Sequence, residues 1–355
     1  MNVRQTLFTF LCGLAGGLLF YFLHLPLPWI LGPAAAMITM NAIRPNSTFF
    51  PLWISELGFM AIAYVLGRSI TAQTGQLIAN DLPWMILIGV VWIVVCFFIG
   101  LAFAKAARLH EATGVLGCMP GGLSQMVLLA DDVKGADPGT VAVIQTARLV
   151  LVLYTVPFLA TLWSNDQSYP IITMVEGDKA DLWSPIYGLL LLPLVPLAAW
   201  IAKRIRLPAG EFAGPAVCVG ALSAFGCPWP DLPDSLMAVA QLVIGIYIGG
   251  RVRPRLIITN KRLAPLAFII GALLVAIASL TSWILSMTTS DTIVTWFLAL
   301  GPGGLGEMAA TALVLEADVA QVTSYQMARL FMILIFAPPM LRGMLSLHRK
   351  YYNKN

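Results

Sequence analysis

Met119-Pro120-Gly121-Gly122-Leu123-Ser124-Gln125-Met126 has an altered second copy in the chain, Gly301-Pro302-Gly303-Gly304-Leu305-Gly306-Glu307-Met308. The copies lie roughly 180 residues apart, and each interrupts an apolar region before helix-forming residues resume. Proline supplies no backbone donor, and glycine tolerates conformations that other residues avoid, so each copy reads as a break in a helix. At membrane depth, unwound backbone survives only where it is buried in protein or lines a wet cavity. Two broken segments at matching places in two halves are the sequence pointer to a transporter binding site.

The surrounding chain supports a membrane setting. Its 355 residues are 59% hydrophobic and 11% charged, with a mean hydropathy of +0.85, whereas a soluble chain carries about 25% charged residues. This composition predicts an all-α polytopic membrane protein. The net charge of +4 matters through its placement in loops. Cys12, Cys96, Cys118, Cys218 and Cys227 show no C-x-x-C spacing and read as small packing residues. His24, His110 and His348 are far apart, so no metal or other cofactor is expected. The apolar run after Arg4 ends in Phe22-Leu23-His24-Leu25-Pro26 rather than a small-residue cleavage site, which predicts a retained first helix.

Six apolar elements fall at about 5–23, 25–41, 51–68, 82–103, 113–130 and 139–163, and six more at about 182–202, 207–225, 235–250, 263–287, 292–313 and 321–346. The halves match residue by residue. Leu25-Pro26 with Gly32-Pro33-Ala34 returns as Leu207-Pro208 with Gly214-Pro215-Ala216, and Tyr64, Gly67 and Arg68 return as Tyr247, Gly250 and Arg251. Beyond the breaks, Ala136-Asp137, Gln145, Ala147-Arg148-Leu149 and Pro157 match Ala317-Asp318, Gln326, Ala328-Arg329-Leu330 and Pro338. The organisation expected is a first membrane repeat over 1–165, an external acidic linker over 166–181 and a second repeat over 182–355.

Loop charges orient the repeats, because basic residues favour the cytoplasmic side. Lys203, Arg204 and Arg206, then Arg251, Arg253, Arg255, Lys261 and Arg262, mark cytoplasmic loops, and Arg342, Arg349, Lys350 and Lys354 place the C-terminus inside. The acidic stretches 164–181 and 226–234 read as external. Arg4, Arg44, Lys105 and Arg108 put the N-terminus inside, with Arg68 the one charge that fits poorly. Each half then makes about five crossings plus one Pro-Gly-Gly re-entrant or broken element. An odd count inverts the second repeat relative to the first.

Arg148 and Arg329 fall about nine residues into long apolar helices, where an arginine costs roughly 2.5 kcal/mol or more and marks a functional site by default. Gln145 and Gln326 precede them by three residues, on the same helical face. The expected ligand cradle is Pro120, Gly121, Gly122, Ser124, Gln125, Gln145 and Arg148 with Pro302, Gly303, Gly304, Gln326 and Arg329. Helices restarting after the glycines would present free N–H groups and a positive dipole end to an anion. Glu307, Asp137 and Asp318 are the coupling candidates. Structural alternatives stand beside each: Asp137 and Asp318 pairing with the arginines, glycines serving close helix packing, and Glu307 stabilising its helix N-terminus.

The doubled Pro-Gly-Gly element, Ala-Asp and Gln-x-x-Arg-Leu together resemble the AbrB-type bacterial inner-membrane proteins of the AbrB duplication family, over essentially the whole chain. Members of that family carry two labels, ammonia monooxygenase and regulator of a DNA-alkylation-response gene. A monooxygenase needs copper or iron held by imidazole and carboxylate clusters, which three separated histidines do not supply. Direct transcriptional regulation needs a soluble basic reading domain, and no segment is long enough to be one. The paired breaks also look like the architecture of cation–proton antiporters and bile-acid-type symporters, an analogy of fold alone. The resulting expectation is a secondary transporter of a small anionic organic solute in the cytoplasmic membrane, with both termini cytoplasmic. It is not expected to be an enzyme or to bind nucleic acid; its partners are the solute and the lipid bilayer, with homo-oligomer formation left open. The alternative is a membrane-embedded sensor that affects gene expression indirectly.

Overall fold

The computed structural model describes residues 3–45, 48–69, 72–121, 123–164, 192–205, 207, 209–225, 227, 229–230 and 232–352. The described residues are helical, without strands. In the first half run α1 (Val3–Phe22), α2 (Pro28–Ile43), α3 (Leu52–Ser69), α4 (Ala72–Ala107), α5 (Glu111–Cys118), α6 (Leu123–Asp132) and α7 (Pro138–Trp163). The second half has α8 (Leu194–Arg204), α9 (Gly210–Ala224), α10 (Asp234–Arg251), α11 (Pro254–Thr259), α12 (Leu263–Thr288), α13 (Ile293–Leu300), α14 (Leu305–Val314) and α15 (Val319–Tyr352). The acidic linker 166–181 and most of segment 182–202 lie outside the described residues.

Among the described residues, five stretches, Arg4–Phe22, Asn80–Ala107, Pro138–Trp163, Ser235–Thr259 and Leu263–Thr288, are long and apolar enough to cross a bilayer. Their outer faces expose Phe98, Leu162, Ile269 and Leu280, which suits contact with lipid. As the sequence predicts, 113–130 and 292–313 are each two short helices separated by the Pro-Gly-Gly break. The fourth element begins ten residues earlier than expected, at Ala72, because the helix accommodates Pro83 rather than starting near it.

The halves do not form separate bundles. α1, α2 and α3 pack with α8, α9 and α10, while α4 to α7 pack with α12 to α15. Pairing is reciprocal: α2 lies against α10 and α3 against α9, and α7 lies against α12 and α4 against α15. The larger core joins Trp92, Cys96, Leu116, Ile144, Phe297 and Ile333 of the second bundle. Another core joins Leu31, Ile62, Phe212 and Ile244 of the first bundle, with Leu153, Leu305 and Ala309 reaching into it from the second.

Small residues set the closest approaches. A side-chain carbon on Gly32 would lie 2.4 Å from the Gly16 carbonyl oxygen, and one on Gly214 2.4 Å from that of Ala198. Thus α1 crosses α2 as α8 crosses α9, with backbones in contact. The Leu-Pro repeats end in matching left-handed caps, Leu27 at φ 49° and Ala209 at φ 50°.

Candidate functional site

Each break leaves the C-terminus of a half-helix in the protein interior, and the last carbonyls of a helix have no partner within it. The long helix that follows supplies donors. Arg148 Nη1 donates to the carbonyls of Cys118 (3.3 Å) and Met119 (2.9 Å), and Gln145 Nε2 to those of Leu116 and Met119 (2.9 Å each). In the second half, Arg329 Nη1 donates to Leu300 (3.2 Å) and Gly301 (2.7 Å), and Gln326 Nε2 to Leu298 (2.7 Å) and Gly301 (3.1 Å). A cation beside a helix C-terminus also meets the favourable end of its dipole. The doubled Gln-x-x-Arg is therefore a C-cap delivered from a neighbouring helix. It explains how arginines only 7% and 6% exposed are tolerated.

The ion-pair alternative gives way to capping. Asp137 Oδ2 accepts from Thr140 N–H (2.9 Å) and from the Thr140 hydroxyl at the start of α7. Asp318 Oδ1 accepts from Gln321 N–H (2.9 Å) at the start of α15. The hydroxyl of Thr140, ahead of its backbone N–H, holds the exposed Asp137 carboxyl below its ordinary value. Thr113 and Thr295, which the sequence reading passed over, accept from the backbone N–H of Asp137 (3.0 Å) and Asp318 (3.2 Å). They tie each half-helix to the start of the long one.

Beyond the second break, Glu307 Oε2 accepts from Gly304 N–H at 3.3 Å. This is the half of a capping box that a glycine N-cap permits. The methionine ending each motif folds back on its glycine: a side-chain carbon on Gly121 or Gly303 would sit 2.3 Å from Met126 Cε or Met308 Cε, respectively. Gly122 lies outside the described residues, as do the side chains of Ser124 and Gln125.

One cavity of about 350 Å³ lies between the two bundles. The second bundle lines it with Pro120, Gln145 and Arg148 from one half, and with Pro302, Gly303, Gly304, Glu307, Gln326 and Arg329 from the other. The first bundle adds Phe59, Glu211, Phe212, Tyr247 and Arg251. Gly121, Asp137 and Asp318 do not line it. Arg251 Nη1 donates to the Tyr247 hydroxyl at 2.9 Å, and Phe59 meets the Tyr247 ring edge-on with centroids 5.5 Å apart. Tyr247 and Arg251 carried a signal in the sequence, their match to Tyr64 and Arg68. Glu211 carried none, because its counterpart is Trp29.

Tyr64 is placed differently from its counterpart. It is buried, its hydroxyl donates to the Pro230 carbonyl at 2.6 Å, and its ring meets Trp229 edge-on at 5.5 Å.

Comparison with known proteins extends the resemblance. The sequence model of the family described as "Transition state regulatory protein AbrB" matches residues 29–344. The "Uncharacterized protein YhjN" of Bacillus subtilis (strain 168) is 25% identical over 375 residues, covering 99% of this chain and 96% of that protein. The "Putative regulator AbrB" of Escherichia coli (strain K12) is 27% identical over 332 residues, covering 91% of each. The chain belongs to the AbrB family.

Proposed function

We propose that this chain is a secondary transporter of the cytoplasmic membrane, carrying a small anionic organic solute by alternating access. The observation that carries the reading is a cavity between two mixed bundles, faced by both breaks and both Gln-Arg pairs. A transporter needs a central site that two rigid bodies can expose to either face, and the usual place for it is the repeat interface.

Contacts between the halves favour inverted repeats. Lys203 pairs with Glu56 at 2.5 Å, and Asn41 Nδ2 donates to the carbonyls of Gly250 (3.4 Å) and Val252 (3.5 Å). All of these residues fall on the side assigned inside by loop charge. Tyr64 meets Pro230 on the side assigned outside. With the cavity reaching Glu211 and Arg251, the conformation is one opened to the cytoplasm and sealed outside by Tyr64, Trp229 and Pro230. Both termini are then cytoplasmic. Glu307, the acidic coupling candidate that lines the cavity, takes the coupling role, and its hold on Gly304 links a protonation event to the break. Lipid is the surrounding partner, and the reading assigns no nucleic-acid, metal or enzymatic role.

A second reading is a sensor that binds a ligand without moving it, favoured by the name of the Escherichia coli relative. Reconstituted vesicles separate the two. A carboxylate that stabilises the purified protein should cross vesicles containing it faster than empty ones, and Glu307→Gln should retain exchange while losing proton-driven accumulation. A gradient that persists despite confirmed binding would overturn transport in favour of sensing.

A further inference from the structure

The two arginine caps differ in what they leave over. Arg329 uses both terminal nitrogens: Nη1 holds Leu300 and Gly301, while Nη2 donates to the Gly303 carbonyl (3.1 Å) and to Gln326 Oε1. Arg148 donates from Nη1 alone. Both Nε atoms are buried without a partner, but among the described residues only Arg148 of the two also has an Nη2 with no protein acceptor, beside an unpartnered Gln145 Oε1. Arg148 is only 7% exposed, and what surface it has lines the cavity. A guanidinium edge held in a largely buried side chain that lines the cavity, with Nη2 free of protein acceptors, is placed to donate to whatever binds there.

The same cavity is lined by Leu305 and Gly306, whose N–H groups belong to the first turn of the ten-residue α14 and have no acceptor within the helix. A guanidinium edge and a helix N-terminus together suit one carboxylate. The remaining wall limits what that carboxylate can be attached to. Glu211 and Glu307 line it, and Arg251 there donates to Tyr247. A cationic end would be attracted to both carboxylates, and a neutral end would be repelled by neither. A second carboxylate would be repelled by both and would find Arg251, already held by the Tyr247 hydroxyl, as its counter-charge.

We propose that Arg148, and not Arg329, is the arginine that binds the ligand, and that the ligand is a monocarboxylate whose remote end is uncharged or cationic. Arg329 is a backbone staple. The proposal rests on reading this cavity as the solute site, and its test does not depend on transport.

The test uses the purified full-length chain in detergent with a four-carbon series: butyrate, 4-aminobutyrate and succinate, each against sodium chloride of equal ionic strength. Butyrate or 4-aminobutyrate should raise the Tm by about 2–4 °C, and succinate should add nothing beyond the salt. Arg148→Lys should keep the parent Tm within about 2 °C and abolish the carboxylate shift. Arg329→Lys should lower the Tm by about 5 °C or more without any ligand, or yield no folded protein. Succinate matching butyrate, no shift from any of the three, an undiminished shift in Arg148→Lys, or equal Tm losses in the two variants would each overturn the assignment. Vesicles that retain a butyrate gradient, alongside an intact Arg148-dependent shift, would remove transport and leave the binding site standing.

Discussion

The two Pro-Gly-Gly breaks share one backbone plan and differ in side chains. Both half-helices end in carbonyls held by a Gln-Arg pair, both fold a methionine over a glycine, and both are followed by an aspartate cap. These are the positions where a buried break would otherwise leave polar groups unpaired, so both copies need them. The differences gather around the cavity. Gln326 accepts from Arg329 while Gln145 Oε1 is left over, and Tyr247 lines the cavity while Tyr64 is shut against Pro230. A duplicated frame thus carries one half committed to holding itself together and one with hydrogen-bonding groups to spare.

Removing the glutamines should sharpen that contrast most. Gln326→Leu strips a partner from the Leu298 carbonyl and also from Arg329 Nη2, whereas Gln145→Leu strips one only from the carbonyl side. A hydrogen bond to a buried charge contributes about 1.5–3 kcal/mol, so Gln326→Leu should cost roughly 2 kcal/mol more than Gln145→Leu. The Tm difference between the two variants in detergent reads this, and equal losses would break the contrast.

The aspartate caps are the place where the halves should agree. Asp137→Ala and Asp318→Ala should each cost about 1 kcal/mol, the usual worth of an N-cap, and unfolding measured at neutral pH should show the two alike. Because the folded pKa of Asp137 is depressed, its contribution is present above the unfolded value and is lost as pH falls through the folded one. The gap between parent and Asp137→Ala should close over that acid range.

Much of this was legible in the chain. Hydropathy located the elements, and the repeated Pro-Gly-Gly, Ala-Asp and Gln-x-x-Arg placed the breaks and the buried cations, because a break in an apolar helix leaves few residue types that can satisfy it. The destination of the arginine donors was not legible. Their acceptors are the carbonyls of Cys118, Met119, Leu300 and Gly301, and backbone oxygens carry no residue signature. Nor could local pattern reveal that the halves interleave into mixed bundles, since period and composition describe a helix but not its partner. Glu211 and Phe59 became visible as cavity residues only through that interleaving.

The proposed transport cycle requires a cavity reached from the basic-loop face and sealed at the other by Tyr64. Substituted cysteines test it, placed at Tyr247 or Tyr64 in a chain whose five native cysteines are replaced by alanine. The reagent is a membrane-impermeant maleimide, applied to right-side-out and inside-out vesicles without solute. Tyr247→Cys should label rapidly in inside-out vesicles, and Tyr64→Cys slowly in both. Labelling of Tyr247→Cys only from the outer face, or Tyr64→Cys reacting as fast as Tyr247→Cys, would contradict this arrangement.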